Sequence, residues 1–387
     1  MRNRFVIILV LCLLAVVSNR CYASEPTVDR HVVVYGKQGM FAGWPANHGM
    51  WMWDNEILVG FSTGFHKNLG EEYHNIDREK PEHHVLARSL DGGASWTMEY
   101  PAEKGMLINE GGMRHGTTDP RHTEPDPVAI TEPIEFEHPD FCMTMRFQDI
   151  HDGGSRLYYS YDRGKNWKGP FKVPGFGQPG IMARSDYIVN GPRDCHVFLT
   201  CSKKNKKEGR VFCGRTTDGG LSWKFLSYVG PEPTGFSIMP STVRLSPTDL
   251  VTTTRRREGS GEKRHRWIDT WASNDNGSSW KFLNNAVDDV GEGNPSAMIK
   301  LADGRLCVTY GVRKAPFEMQ AKISGDNGRT WSEPTVLKTN GGGRDMGYPR
   351  TLQRPDGKLV TLYYFYPHDN PYRSIYATIW DCGSVTK

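Results

Sequence analysis

The chain has no Cys-x-x-Cys pair and no apolar run after residue 17 long enough to cross a bilayer. It shows no stretch of helical periodicity and no sustained excess of either charge. Without paired cysteines a zinc ribbon or a dithiol redox centre has no ligands. A spanning helix needs roughly 18 or more apolar residues in a row, so the body of the chain has no membrane span of that kind. The charge is nearly balanced, with 48 Lys and Arg against 44 Asp and Glu. Arg2, Arg4 and Arg20 lie in the first 23 residues with no acid beside them, which leaves 45 basic residues against 44 acidic ones. A nucleic-acid partner needs clustered positive charge. One dense group exists, Arg255 to Arg257 with Lys263 and Arg264, but the near balance of charge argues against a nucleic-acid partner.

The N-terminus reads MRNRFVIILVLCLLAVVSNRCYASEP. Two arginines precede an apolar run from Phe5 to Val17, and small residues close the pattern at Ala23. This layout predicts a secretory signal peptide over 1–23 and a secreted or periplasmic protein over 24–387. Of eight cysteines, Cys12 and Cys21 fall in that leader. Cys201 and Cys213 flank the polar run SKKNKKEGR, so a bridge across a hairpin and two small buried residues are both open readings. No cofactor motif is present. The stretch DDVGEGN (288–294) resembles a calcium loop only weakly, so no metal ligands are assigned.

What the chain does have is a repeat. It spells SLDGGASW (89–96), SYDRGKNW (160–167), TTDGGLSW (216–223), SNDNGSSW (273–280) and SGDNGRTW (324–331). Successive copies start 71, 56, 57 and 51 residues apart. The string is a turn. Asp bonds the backbone downstream of it, and Gly supplies positive φ. Trp then pins the turn to a neighbouring sheet. Strand-like runs flank each copy, so each sits in a hairpin. The intervening units, such as PSAMIKLADGRLCVTYGV (295–312), predict about four short strands each. YPRTLQRPDGKLVTLYYFY and RSIYATIWD supply a sixth unit without the Trp turn, and RHVVVYG (30–36) is the strand that would close it. The expected fold is all-β, a six-bladed β-propeller of four-stranded antiparallel blades. A polar insert at about 103–135 breaks the rhythm, and a loop of that length is usually functional or disordered.

The repeated string resembles the Asp-box of the sialidase (neuraminidase) superfamily, and with the blade rhythm the resemblance covers nearly the whole chain after the leader. It implies three arginines that bind a substrate carboxylate, a Tyr nucleophile activated by a Glu, and an Asp acid/base. YPRTLQRPDGKLVTLYYF places Tyr348 at the nucleophile position, with Arg344 and Arg350 beside it. LVTTTRRR places Arg255 at the fourth-blade arginine, with Arg256 or Arg257 as alternatives by register; strand alternation puts Arg255 and Arg257 on one face. LCVTYGVRK places Arg313 at the fifth-blade one. A guanidinium fork suits this task because it grips a carboxylate with two parallel bonds. In the loop before the first repeat the acid/base falls on Asp77, with Glu79 next to it. Two positions depart from the pattern. Gly43 stands where the first arginine belongs, and Ser237 stands near the place of the Glu.

Other residues are candidates for the pore. Arg184 and Asp186 lie two apart on one strand face, and Asp186 is the alternative carboxyl for catalysis. Trp44, Asn47 and His48 suit a sugar ring through stacking and hydrogen bonds. Arg114, His115, Asp119, Arg121 and His122 of the insert are placed to fold over the mouth. Three functions follow. The first is an exo-acting sialidase-type hydrolase that cleaves a terminal acidic sugar from a glycan. The second is another carbohydrate-active enzyme, such as a uronate-specific lyase with Tyr348, His48 or His115 moving the proton. The third is a propeller that binds a glycan or a protein without catalysis. The sequence does not specify an oligomeric state.

Overall fold

The computed structural model describes residues 24–71, 73–108, 117–150 and 153–383. They form six antiparallel sheets arranged as the blades of a propeller, with almost no helix. The leader at 1–23, with Arg114 and His115, lies outside the described residues.

Each repeated string turns the chain between the last two strands of blades 1 to 5. In the first copy Ser89 Oγ donates to Asp91 Oδ1 at 2.8 Å and accepts from the Gly93 amide at 2.8 Å. Asp91 Oδ1 also takes the Ser95 amide at 2.9 Å, and Oδ2 takes the Ser95 hydroxyl at 2.6 Å. Trp96 Nε1 then caps the Gly93 carbonyl at 3.0 Å. Gly92 and Gly93 have φ of 68° and 92°, values that a side chain would strain. The turns at Asp162, Asp218, Asp275 and Asp326 repeat this pattern of carboxylate bonds.

The ring closes on the N-terminal strand. Thr27–Tyr35 pairs antiparallel with Ser374–Asp381 and forms the outer edge of blade 6, as the reading of 30–36 anticipated. Apolar faces pack blade against blade. Phe41, Val59 and Phe61 of blade 1 meet Val360, Leu362 and Tyr364 of blade 6.

Not every blade has four even strands. Blade 2 has three, Cys142–Arg146, Arg156–Ser160 and Lys168–Lys172. The described part of the insert is anchored rather than loose: Val128 bridges Phe171 on the outer strand of blade 2, and Ile134 is fully buried with its amide bonding Gly219 O at 2.8 Å. The inner strands of blades 1 and 3 are each broken in two. The proposed Cys201–Cys213 bridge does not form. Cys201 lies opposite Arg210 and Cys213 opposite Phe198, and both are free and buried.

Three inner strands share a kink that positions the site. Trp44, Met239 and Tyr348 each have a left-handed backbone, with φ of 62°, 52° and 52°, and each is followed by a proline. A residue before proline prefers extended backbone, and a side chain makes the left-handed region costly. In blades 4 and 6 these residues mark register shifts, between Ile238 and Ser241 and between Gly347 and Arg350. Such strain persists only where packing enforces it, and it concentrates at functional sites.

Candidate active site

The kinks of blades 4 and 6 open onto one cavity of about 320 Å³ at the end of the ring. Seven arginines line it: Arg184, Arg255, Arg257, Arg264, Arg266, Arg313 and Arg344. Arg255 and Arg257 face inward by strand alternation. Arg256 faces away and is neutralised by Asp269 at 2.6 Å and Glu258 at 3.0 Å.

Tyr348 lies in this cavity. Its amide donates to Asn294 Oδ1 at 2.9 Å, and Asn294 Nδ2 donates back to the Met346 carbonyl at 2.9 Å. Asn294 is fully buried and lies so close to Gly347 that a Cβ there would stand 2.0 Å from its amide nitrogen. This contact from blade 5 holds the strained backbone of Tyr348. The phenol oxygen accepts from Arg255 Nη1 at 3.1 Å, and the Arg313 guanidinium lies 5.3 Å from the ring centre. Burial alone would raise the phenol's pKa, but the charges of Arg255, Arg313 and Arg184 outweigh it and hold the pKa below its usual value. Two nitrogens of Arg313 are committed. Nε and Nη2 bond the Met346 carbonyl at 2.9 and 2.7 Å, and Nη2 also reaches Tyr364 Oη at 2.7 Å. Nη1 takes no part in these bonds.

His74 also lines the cavity and is a functional candidate that the sequence did not single out. Its Nδ1 lies 2.5 Å from Asp345 Oδ1. Asp345 is almost fully buried, and Tyr364 Oη donates to it at 2.8 Å, Arg373 Nε at 2.9 Å and the Asn75 amide at 3.2 Å. Burial opposes its charge, yet His74, Arg373 and Arg313 keep its pKa far below the ordinary carboxylate range. Burial lowers the His74 pKa, against the pull of Asp345 and with help from Arg313 and Arg344. Asp345 accepts each of its other bonds, so His74 donates its Nδ1–H to it and keeps Nε2 for substrate. The Trp44 ring meets His74 edge-on at 5.2 Å and fixes its orientation. The signal in the sequence was weak. His74 shares the loop of Asp77, which was favoured there because a carboxyl was sought.

The other candidates divide by position. Arg184 is in the cavity and bonds Asn47 Oδ1 at 3.1 Å. Asp186 and Arg350 line a second space of about 290 Å³, in the channel between the inner strands. There Thr242 donates to Asp186 at 2.9 Å, and Arg350 Nη2 donates to the carbonyls of Ala46 and Ser185 at 2.8 and 2.6 Å. Asp77 is not part of the cavity lining; its carboxylate is held by Lys67 at 3.4 Å and Lys80 at 3.8 Å. His48 is buried behind Asn47 and bonds Ser62 Oγ at 3.1 Å. Ser237 points away from the cavity, and blade 4's inner strand presents Phe236, Ile238 and Met239 to it instead. Asp119 is bound by Arg121 at 2.5 Å, and neither lines the mouth, nor does His122. Among the described residues no group of three or more His, Cys, Asp and Glu is placed to hold a metal ion, and no helix is long and apolar enough to cross a membrane.

The sequence profile of the BNR repeat-like domain matches residues 141–361, more than half of the chain. The chain belongs to the BNR repeat-like family. No curated protein matches it in sequence. A Dyadobacter fermentans protein of unknown function is similar in structure, with a TM-score of 0.68 at 18% identity over 92% of this chain and 99% of that one. Trypanosoma rangeli sialidase, in a covalent-intermediate complex with a difluorosialic acid, has a TM-score of 0.57 at 14% identity. That match covers 93% of this chain but 59% of the sialidase, so the chain spans about three-fifths of that enzyme's length. Penicillium chrysogenum alpha-L-arabinanase, complexed with arabinobiose, has a TM-score of 0.55 at 13% identity over 93% of this chain and 99% of that one. These likenesses establish a propeller shared with known glycoside hydrolases.

Proposed function

We propose that the protein is an exported, exo-acting glycoside hydrolase of sialidase type, which removes a terminal acidic sugar from a glycan. The observation that carries this is Tyr348. Its phenol is bonded by Arg255 at 3.1 Å, in a cavity it shares with Arg184, Arg313 and the His74–Asp345 pair. Arg184, Arg255 and Arg313 take the sugar's carboxylate, and Arg184 of blade 3 fills the part of the arginine missing at Gly43. Tyr348, ionised to tyrosinate beside Arg255 and Arg313, attacks the anomeric carbon and forms a covalent glycosyl bond, while protonated His74 gives its Nε2 proton to the departing oxygen. Neutral His74 then takes a proton from the water that attacks the anomeric carbon, and tyrosinate leaves. The arginines do the activating work that a carboxylate does in the resembling family. Export is supported by Arg2 and Arg4 ahead of the apolar run Phe5 to Val17.

A panel of fluorogenic sialosides and uronosides, assayed with the parent protein and Tyr348→Phe, tests this. The parent releases fluorophore and the variant does not. If the parent is silent on the whole panel across mildly acidic to mildly alkaline pH, the hydrolase reading is lost.

One observation favours a second reading. The side of the cavity formed by blade 4's inner strand is apolar, so no carboxylate from there reaches Tyr348, and burial shifts His74 toward its neutral form. Those are the needs of β-elimination from a uronate. A base removes the proton next to the arginine-neutralised carboxylate, a carbon–carbon double bond forms, and the bond to the neighbouring sugar's oxygen breaks as that oxygen is protonated. Rising ultraviolet absorbance from an unsaturated uronate identifies this outcome.

A further inference from the structure

Tyr364 touches both halves of the site. It stands on the second strand of blade 6, Leu359–Phe365. Strand alternation turns Leu362 and Tyr364 toward blade 1, and Tyr363 and Phe365 toward blade 5. Tyr364 is fully buried, so its oxygen needs partners inside the protein. Oη accepts from Arg313 Nη2 at 2.7 Å and donates to Asp345 Oδ1 at 2.8 Å. Both directions are fixed, because a guanidinium only donates and the phenol has a single proton. Burial and the bond to Asp345 hold that proton in place and keep the Tyr364 pKa well above its ordinary value. The same oxygen of Asp345 lies 2.5 Å from His74 Nδ1. An unbroken chain therefore runs from His74 through Asp345 and Tyr364 to Arg313, whose guanidinium lies 5.3 Å from the Tyr348 ring centre.

Packing holds the phenol in this place. Tyr364 pairs opposite Gly347, and its ring meets Tyr348 edge-on at 5.9 Å and Trp44 edge-on at 6.4 Å. At Gly43 a Cβ would stand 2.7 Å from the Phe41 ring and 3.6 Å from Tyr364 Cδ2, so the position that lacks the expected arginine is closed by the aromatic packing around Tyr364. Asp345 also accepts from Arg373 Nε at 2.9 Å and the Asn75 amide at 3.2 Å. Arg313 and Arg344 face the His74–Asp345 pair as further cations, and His66 and Tyr366 are titratable groups beside Asp345. Two donors, Tyr364 and His74, thus share one carboxylate oxygen. Removing the first leaves more charge on that oxygen for the second.

We propose that Tyr364 is a positioning residue that shares Asp345 Oδ1 with His74 and ties that pair to Arg313, so that one phenol sets both the proton donor and an arginine beside Tyr348. Its bond to Asp345 weakens the pull of the carboxylate on the His74 proton, which makes protonated His74 a stronger acid toward a departing oxygen. The catalytic meaning of this coupling rests on the reading that gives His74 the proton transfer; the coupling itself does not. An NMR titration of the His74 ring in the whole protein, assigned with His74→Gln, measures it without a substrate. In Tyr364→Phe, which keeps the ring and loses both bonds, the His74 midpoint rises by about one pH unit, the scale of one charge-assisted hydrogen bond. With a ring-fluorinated tyrosine in place of Tyr364, a stronger donor of nearly the same shape, the midpoint falls instead; this variant tests the coupling even where the phenylalanine one does not fold. Tyr363→Phe removes the neighbouring buried hydroxyl, which bonds Thr378, and leaves the midpoint where it was. Equal midpoints in the parent and both Tyr364 variants overturn the proposal. An equal rise in Tyr363→Phe also overturns it, since that marks a general loosening of blade 6. Where acidic glycosides are cleaved, the falling limb of kcat/KM moves with the NMR midpoint. Silence on every glycoside with the NMR shifts intact rejects the glycosidase reading and upholds the coupling.

Discussion

His74 Nδ1 and Asp345 Oδ1 stand 2.5 Å apart although 271 positions separate them in the chain. Blade 1 supplies the imidazole and the approach to blade 6 supplies the carboxylate, so the pair exists only once the ring has closed. Because His74 is held below its ordinary pKa, the pH profile discriminates between the two chemistries. Hydrolysis needs protonated His74 in its first step, so kcat/KM falls as pH rises through the His74 pKa, on the acid side of the usual histidine value. Elimination uses the neutral imidazole, so its rate rises through the same pKa. His74→Gln lowers kcat by about 10² to 10⁴ in either case and removes that limb of the profile. A pH profile unchanged by the substitution would show that His74 does not move the proton.

Tyr348 offers a spectroscopic check that does not depend on knowing the substrate. The parent contains a phenol that ionises below the usual tyrosine value because of Arg255, Arg313 and Arg184. In an ultraviolet titration that phenol disappears in Tyr348→Phe. In Arg255→Gln it moves upward, because burial then meets less opposition. Identical titrations of the parent and Arg255→Gln would disprove the electrostatic activation.

Asn294 is a positioning residue, and its effect should divide between kinetic constants. Asn294→Ala removes the acceptor for the Tyr348 amide and the donor to Met346 while leaving the arginines in place. The expected result is a fall of at least tenfold in kcat with KM changed little, because the misplaced group reacts rather than binds. Loss of secondary structure by circular dichroism would reassign Asn294 to folding alone.

The scaffold was far easier to read in the sequence than the site. Five Asp-Gly-Trp turns are local devices whose carboxylate bonds span no more than four residues, so each copy carries its own signature. The positions of Arg255, Arg313 and Tyr348 at the cavity were also legible, because each lies in or next to a strand whose phase the turns set. His74, Asp345 and Asn294 were not, since their roles come from contacts between blades that no local pattern encodes. Asp77 and Asp186 failed to reach the cavity for complementary reasons: two lysines hold the first, and the inner channel encloses the second. One signal went unused. Trp44–Pro45, Met239–Pro240 and Tyr348–Pro349 each place a proline within an inner strand or at its break, and each marks a kink beside the site.

The repeated turns predict a loss of stability without a loss of chemistry. Asp275 takes bonds from the Ser279 amide at 2.8 Å, the Ser279 hydroxyl at 2.5 Å and the Ser273 hydroxyl at 2.8 Å, on a turn of blade 4. Asp275→Ala should cost about 1–2 kcal/mol and lower Tm by a few degrees, with KM unchanged. A variant with altered KM and parental Tm would contradict the peripheral, structural role of the turn.

Three buried carboxyls should make the fold less stable in mild alkali. Burial raises Asp186 to about 7 against the pull of Arg350 and Thr242, and it raises Glu82 and Glu124 to about 8 against Arg146. In the unfolded chain these groups ionise near pH 4. Between about pH 4 and 8 the folded state therefore holds more protons than the unfolded one, so stability is greatest at the acid end and declines as pH rises. Asp186→Asn removes one ionisation and still offers Thr242 an acceptor. Denaturant midpoints measured from pH 5 to 8 should decline less steeply in this variant than in the parent, with the difference accruing up to about pH 7 and levelling off above it. Parallel curves across that range would mean that Asp186 stays ionised in the channel, matched by Arg350.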